Sequence, residues 1–482
     1  MKEKSRPFSF SNEQILFLSV IAVLLVVILL LGITVVRNQF PYKPAATRDE
    51  RYNAQQVHKI EKVYNYILEH YVYDVDAQEL LHAAIKGMTN YLDDVYTDYV
   101  IDSEATHLQD MIQGEFIGIG LMVQAIEESS DPLRYRFIVT YVYSGSAAEE
   151  AGIAVGDRII AINGESLSSG ATEEDVLTKL RGKSGSKVDL VLLRKEEKIN
   201  LKVRRDKISL PTVQYGMLQP GLGYIRISQF TPQTVQTLED VLESLQNQGV
   251  SQLILDLRDN PGGELESVVM ATDLFLSKGL IVETKSRSSL QNKIYRANAA
   301  VSIDENIPIA VLINEQTASA AEVMAATLQD LNRATVYGKR SFGKSSVQVV
   351  LPLGNRPLEF LKMTVAHYFT ASGKNISVEG ITPDYEISSP YRLTQSEWSR
   401  FQSLRKESAY QQLLQQSLSL SEEELHDALV VFADDWDIPY DFLQMHIAQY
   451  VRYYEFDSMK INIHTDYILS KTIEALSGAQ YS

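Results

Sequence analysis

The chain has 482 residues, 45% of them apolar, enough for about three or four domains that each bury a core. Acidic residues outnumber basic ones 62 to 45, a formal charge of −17, and this excess argues against nucleic acid or an anionic lipid surface as the main partner. The absence of cysteine excludes disulfides, thiol nucleophiles and cysteine-ligated metals.

In chain order, residues 15–36, ILFLSVIAVLLVVILLLGITVV, are 22 residues without a charge, long enough to cross a hydrocarbon core of about 30 Å as a helix. They predict a membrane anchor behind a short tail, residues 1–14, since the run exceeds the ~7–15 residues of a signal-peptide core and no A-x-A site follows. Lys2, Lys4 and Arg6 before the span are balanced by Arg37, Lys43, Arg48 and Arg51 after it, so the charge rule leaves the orientation open. A Pro-containing linker, 37–51, leads into a segment, 52–112, in which Val57, Ile60, Val63, Tyr64, Ile67 and Leu68 recur at helical spacings of three and four. A second helix is expected near 77–92. Between 113 and 205 the texture changes to short β-type runs, FIGIGLMVQ, YRFIVTYV, RIIAING and KVDLVLLR, separated by Gly and Ser turns. From 206 to 390 apolar strands (QLILDL, IPIAVLI, ATVYG, VQVVLPL) alternate with helical stretches, which predicts an α/β domain. Residues 391–482 are polar and helical again.

In the β-rich segment, FIGIGLMV puts Gly118 and Gly120 where successive backbone N–H groups converge into a nest suited to a carboxylate. Further on, AGIAVGDRIIAINGESL carries turns at Gly152 and Gly156 and a hairpin signal at Asn163-Gly164. The segment resembles a PDZ domain. That resemblance implies that Gly118, Ile119, Gly120 and Leu121 bind the C-terminal carboxylate of a peptide added as a β-strand. Ser146 stands where that family often has proline, a departure expected to affect only a turn.

In the α/β domain, a strand (307–313), the turn NEQTAS and a small-residue helix place Ser319 where strand becomes helix. Ser319-Ala320-Ala321-Glu322 is a capping box, which explains a serine there without any chemistry. A hydroxyl at a helix N-terminus also has backbone donors and a positive dipole end beside it, suited to an oxyanion formed in acyl transfer. The choice depends on a base. Between 206 and 390 the only histidine is His367, alternating with apolar residues in a strand pattern, so a Ser-His-Asp triad has little support. Lysine remains, because a lysine in an apolar pocket loses its charge readily and then accepts a hydroxyl proton. Lys344 ends the run GKRSFGK and is followed by serine, the G-x-x-x-x-G-K-S pattern of a phosphate-binding loop. Such a loop opens a helix, whereas SSVQVVLPL is β-branched and closed by Pro352, which predicts a strand. A nucleotide hydrolase is therefore the minor alternative, and an inactive PDZ scaffold is another.

With Ser319 in TASAAEV, Lys344 25 residues later in FGKSSVQ, Gln348 four beyond it and DLRDNPGGELESV upstream, the chain resembles the carboxyl-terminal processing (tail-specific) proteases of peptidase family S41. LLHAAIKGMTNYLDDVYTDY and HYFTASGKNISVEGITPDY extend the resemblance over residues 50–390. It implies a crotonase-like α/β core with Ser319 as nucleophile, Lys344 as general base and Gln348 orienting the lysine. The backbone N–H of Ala320, with that of Gly262 or Gly263, would form the oxyanion hole. It further implies that an arginine of the PDZ domain, matched here to Arg181, senses bound peptide and contacts Gln348. The remaining implications are a homodimer, a protease domain on the outer face of the cell membrane, protein substrates with exposed C-terminal tails, and no metal or cofactor. Ser345 replaces the family's common glycine after the lysine.

Overall fold

The computed structural model describes residues 48–478 except 126–136, 168–170, 196, 299–300, 356–357, 377–378, 389–390, 392, 406, 418–419 and 455–465. The expected anchor, 15–36, lies outside the described residues, among which no helix is long and apolar enough to cross a membrane. The chain divides into two compact units, residues 1–88 and 89–482.

The first unit carries α1 (Arg48–His70), and α2 (Ala77–Asn90) begins in it. Much of the apolar stripe that predicts α1 is at the surface: Val57, Ile60 and Val63 are half exposed or more and Leu68 is exposed, while Tyr64 and Ile67 are half-buried.

The second unit departs from the all-helical expectation for 52–112. It opens with a strand, β1 (Asp98–Ile101), followed by α3 (Asp102–Gln113). The strand exists because it pairs with residues 359–362, about 260 positions further on, and such a partner leaves no local trace in the sequence.

The β-rich part comprises β2 (Glu115–Gly118), β3 (Leu121–Ala125), β4 (Phe137–Val142), α4 (Ala147–Glu150), β5 (Arg158–Ile162), β6 (Glu165–Ser166), α5 (Glu173–Leu180), β7 (Lys187–Arg194), β8 (Glu197–Arg204) and β9 (Asp206–Ser209). Strands β3-β4-β5-β7-β8 form one antiparallel sheet with β6 on β5, and β2 pairs with β9 apart from it. The run FIGIGLMVQ is thus two strands broken at Gly120, whose φ of +86° suits glycine, and a Cβ there would meet Ser146 Cβ at 2.2 Å. Alternate residues Phe137 and Val139, and Leu190 and Leu192, fill the core of this domain. Strand β3 is left at the sheet edge with α5 alongside.

The α/β part comprises β10 (Val213–Gln219), β11 (Leu222–Ile227), α6 (Pro232–Asn247), β12 (Gln252–Asp256), α7 (Leu265–Asp273), β13 (Leu280–Lys285), β14 (Lys293–Arg296), β15 (Ile309–Ile313), α8 (Ala320–Asp330), β16 (Thr335–Gly338), β17 (Ser346–Asn355), β18 (Leu358–Phe369) and β19 (Tyr385–Glu386). The main sheet runs β10-β11-β12-β15-β16-β19, parallel from β11 onwards. Both faces are covered, which is why its strands read as continuous apolar runs. Leu253, Leu255, Val311 and Ile313 face the core shared with α6, α7 and α8, whereas Ile254, Ala310 and Leu312 face the other side. A second sheet holds β18 between β17 on one edge and β1 and β13 on the other. Pro352 does not end β17 as expected: the strand continues to Asn355 through a register shift at Pro352, where a missing N–H is tolerated.

Residues 391–482 separate into two roles. Helices α9 (Gln395–Leu404), α10 (Ser408–Gln416), α11 (Glu422–Trp436) and α12 (Tyr440–Tyr454) build their own core around Phe401, Tyr410 and Leu443. Helix α13 (Tyr467–Leu476) instead buries Leu469 against Ile254 and Leu312 on the outer face of the main sheet.

Candidate active site

The parallel strands β11, β12 and β15 all deliver their following loops to the carboxyl edge of the sheet, the usual place for a site in an open α/β fold. After β15 the turn is locked to the loop behind β12: Thr317 Oγ1 donates to the Leu257 carbonyl (2.9 Å) and Ala318 N to the Asn260 carbonyl (2.9 Å). Ser319 follows with φ 56° and ψ −119°, a conformation costly for a residue with a side chain, and it is 6% exposed.

The conformation is held by Glu322, which is fully buried. Its Oε2 accepts from Ser319 N (2.8 Å) and Lys344 N (2.9 Å), and its Oε1 from Gly343 N (2.7 Å) and the Ser341 hydroxyl. One carboxylate therefore joins the serine turn to the lysine loop. Burial raises its pKa, and these four bonds act against that rise. The sequence pattern identifies Glu322 as half of a helix cap. It cannot show that the same oxygens also organise a loop some 20 residues away.

Lys344 enters the site from that loop, and residues after it form strand β17, so the helix that a phosphate-binding loop must open is absent. Its Nζ stands 4.7 Å from the Tyr96 ring centroid. Burial lowers its pKa, the nearby Lys362 lowers it further, and Glu322 opposes both. Ser319, Lys344 and Gln348 line one cavity of about 400 Å³ together with Gly262, Gly263, Lys362 and Tyr368. The Tyr368 phenol beside Ser319 is pushed up to about 12, chiefly by burial. Neither Lys362 nor Tyr368 stands out in the sequence, since both sit in the strand pattern of β18.

Gln348 points into the same cavity, but its Nε2 donates to Ser346 Oγ (2.9 Å) and Thr364 Oγ1 (3.2 Å). Among the described residues no hydrogen bond joins it to Lys344 or to Arg181. Thr364 N in turn donates to Thr97 Oγ1 (3.0 Å), and the Thr97 hydroxyl to Asp94 (2.6 Å), so the loop before β1 supports the glutamine.

Gly262 and Gly263 pack against the serine turn. A Cβ on Gly262 would come 2.8 Å from Ser319 Cβ, and one on Gly263 would come 2.0 Å from the Phe230 carbonyl oxygen. Gly262 N already donates to Asn260 Oδ1 (2.8 Å), which removes it from the expected oxyanion donors. The N–H groups of Gly263 and Ala320 donate to no acceptor among the described residues. His367 is exposed, with Nδ1 3.2 Å from Ser345 Oγ, and lines a different groove, so the triad reading has no geometry behind it.

In the β-rich domain, the Ile119 and Gly120 carbonyls accept from Ala148 N (2.8 Å) and Tyr143 N (3.0 Å), while the Ile119 and Gly120 N–H groups donate to nothing among the described residues. Gly118 closes β2 and Leu121 opens β3, at the free sheet edge. Ser146 does more than shape a turn: its hydroxyl donates to the Gly120 carbonyl (3.1 Å) and caps α4 by accepting from Glu149 N (3.2 Å). Arg181, at the end of α5, contacts α3 and not Gln348. Its guanidinium lies 3.2 Å from Asp110 Oδ2 and 5.9 Å from the Phe116 ring centroid.

Among known families, residues 221–387 match Peptidase family S41, 138–194 match the PDZ domain, and 35–105 match the Activating protease CtpB N-terminal domain. The chain is 34% identical over 351 residues to a carboxy-terminal-processing protease of Bartonella bacilliformis, covering 71% of this chain and 78% of that one. It is 34% identical over 349 residues to the carboxy-terminal processing protease CtpA of Bacillus subtilis, covering 72% and 71%. Among solved structures it is similar to a photosystem II D1 C-terminal processing protease, with 28% identity, coverage of 70% and 88%, and a TM-score of 0.41. Identity of this extent to two such proteases means that the chain belongs to the carboxy-terminal processing proteases, serine peptidases of family S41 with a PDZ domain.

Proposed function

We propose that this peptidase cleaves extracytoplasmic proteins with a Ser319–Lys344 dyad, selects them by their C-terminal tails, and is held at the membrane by residues 15–36. The observation that carries the dyad is the placement of Ser319 and a half-buried Lys344 in one cavity, with the two backbones tied to the same Glu322 carboxylate. Neutral Lys344 takes the Ser319 proton as Oγ attacks the scissile carbonyl. The N–H groups of Ala320 and Gly263 receive the oxyanion, and the protonated lysine then gives its proton to the leaving amine. Water releases the acyl group by the same path. Gln348 and Thr364 fix the wall beside the lysine. The core is of the crotonase-like type. The two ends assemble as a homodimer, for which the exposed apolar face of α1 is the support within residues 48–88.

Tail selection rests on the open edge of β3 and the unfilled N–H groups of the Ile119-Gly120 turn, a nest for a terminal carboxylate. Helix α3 connects the two sites: Asp110 faces Arg181 of the PDZ domain, while Leu108, Met111 and Ile112 line the catalytic cavity. Peptide in the groove shifts α5, Arg181 draws on Asp110, and α3 reshapes the cavity. Such a switch works only if peptide binds the active arrangement more tightly than the resting one.

Ser319→Ala and Lys344→Ala should each reduce cleavage of an unfolded protein substrate at least about 10³-fold with the fold intact, because the two act as one chemical unit. Retention of most activity by Lys344→Ala would refute the dyad, and an inert wild type would favour the scaffold alternative.

A further inference from the structure

The oxyanion turn is anchored from an unexpected direction. Arg258, four residues before Gly262, is 1% exposed and makes paired bonds on two edges of its guanidinium. On one edge Nε and Nη2 donate to Asp256 (2.8 and 2.5 Å), a fully buried carboxylate that also accepts the Tyr224 hydroxyl (2.7 Å). On the other edge Nη1 and Nη2 donate to Oδ1 and Oδ2 of Asp466 (2.8 and 2.7 Å). Asp466 lies 208 residues away, at the N-terminus of α13, where it also caps the helix by accepting from Leu469 N (3.1 Å). Helix α13 is itself fixed to the sheet by the fully buried Leu469 and by Gln252 Nε2 donating to the Leu476 carbonyl (3.0 Å).

The cluster also holds the buried Arg226, in register with Asp256 on the neighbouring strand, so two arginines face two carboxylates and the charges balance. What Asp466 adds at Arg258 is a second paired contact, on the edge that Asp256 leaves open. Its contribution is directional: two bidentate pairs on one planar fork leave the guanidinium no in-plane rotation. The main chain at residue 258 is thereby fixed, and from it the chain runs through Asp259, at φ +61° and with its N bonded to Asn314 Oδ1 (2.9 Å), into Asn260 and the two glycines. Displacing an oxyanion donor by a fraction of an ångström weakens it only when the negative charge has formed, so the loss should appear in the transition state and not in substrate binding.

We propose that Asp466 is a positioning residue for the Gly262-Gly263 turn, which makes helix α13 part of the catalytic apparatus. This rests on the reading of that turn as half of the oxyanion hole. The test uses the full chain in detergent micelles, with Asp466→Ala and the milder Asp466→Asn, which keeps the shape and one acceptor. Asp466→Ala should lower kcat about 10- to 100-fold with KM changed less than about threefold, and Asp466→Asn should recover part of the loss. Affinity for a peptide boronate, whose tetrahedral adduct on Ser319 places a hydroxyl in the oxyanion hole, should fall by the same factor as kcat/KM. Peptide affinity measured in a Ser319→Ala background should stay constant. Wild-type kinetics in both variants would overturn the proposal, as would a parallel fall of boronate and peptide affinity, the pattern of simple destabilisation. If Asp466→Ala does not fold, Asp466→Asn carries the same comparison. A wild type that binds the boronate no better than the matching peptide would instead reject the oxyanion reading itself, independently of Asp466.

Discussion

In the proposed dyad Lys344 must be uncharged before it can accept the Ser319 proton, and the cavity favours this with two influences of one sign. Burial disfavours its ammonium form, and the neighbouring Lys362 repels it, while the Glu322 carboxylate works in the opposite direction. The basic limb of kcat/KM against pH should therefore lie below the ordinary lysine range, with activity rising as pH rises through it. Replacing Lys362 by Met removes the repulsion but keeps the side-chain bulk, so the protonated form of Lys344 is favoured and the limb moves to higher pH, with slower cleavage at neutral pH. A limb that stays in place or moves down would show that Lys362 does not act on the base. Glu322 illustrates why a residue's type can be legible while its task is not. The S-x-x-E pattern names a cap, and the cap forms through Ser319 N, yet three further donors to the same carboxylate come from residues 341–344, whose return to the helix is a property of the whole sheet.

At the scale of elements, the glycine turn between β2 and β3 is a demanding piece of local geometry outside the catalytic cavity. Gly120→Ala would combine a positive φ with a Cβ 2.2 Å from Ser146, and the turn would have to open. Cleavage of a substrate with a free carboxyl terminus should then fall about 10-fold or more towards the rate of its amidated twin, while Asp110→Asn should leave tail binding in place and weaken its effect on rate. Equal rates for the two substrates in wild type would reject carboxylate gating. How far such features can be read in advance depends on the range of the interaction that makes them. The apolar runs of β12 and β15 follow from composition, because each strand is buried on its own account, and β17, the strand after Lys344, follows from its β-branched residues although it is only half-buried. Strand β1 and the split of FIGIGLMVQ do not, since they depend on β18 and on Ser146, and the sequence carries no sign of those partners. The serine and lysine were legible through spacing and resemblance, whereas Lys362, Tyr368, Asn260 and Asp466 were not, because each takes its role from a neighbour distant in the chain. The expected oxyanion donor at Gly262 fails for a similar reason: the side chain of Asn260 folds back onto it.

For the molecule as a whole, the first unit presents an exposed apolar helix face, and the proposed homodimer would give that face a partner. Light scattering on residues 38–482 at micromolar concentration should give twice the chain mass, and Ile60→Glu with Val63→Glu should halve it. A strict monomer in the unmodified protein would remove the idea. The C-terminal segment is divided at this scale: α9–α12 have a core of their own, while α13 belongs to the protease sheet. Everything proposed for tail selection and assembly presupposes one chemical event, acylation of Ser319 with Lys344 as the base. Its most direct measurement is the rate at which a fluorophosphonate modifies the intact protein, with the adduct located by mass spectrometry across a pH series. The expected result is a single adduct on Ser319, forming faster as pH rises through the lysine limb and at least about 10²-fold slower in Lys344→Ala. An adduct on another residue, or an undiminished rate in Lys344→Ala, would contradict it.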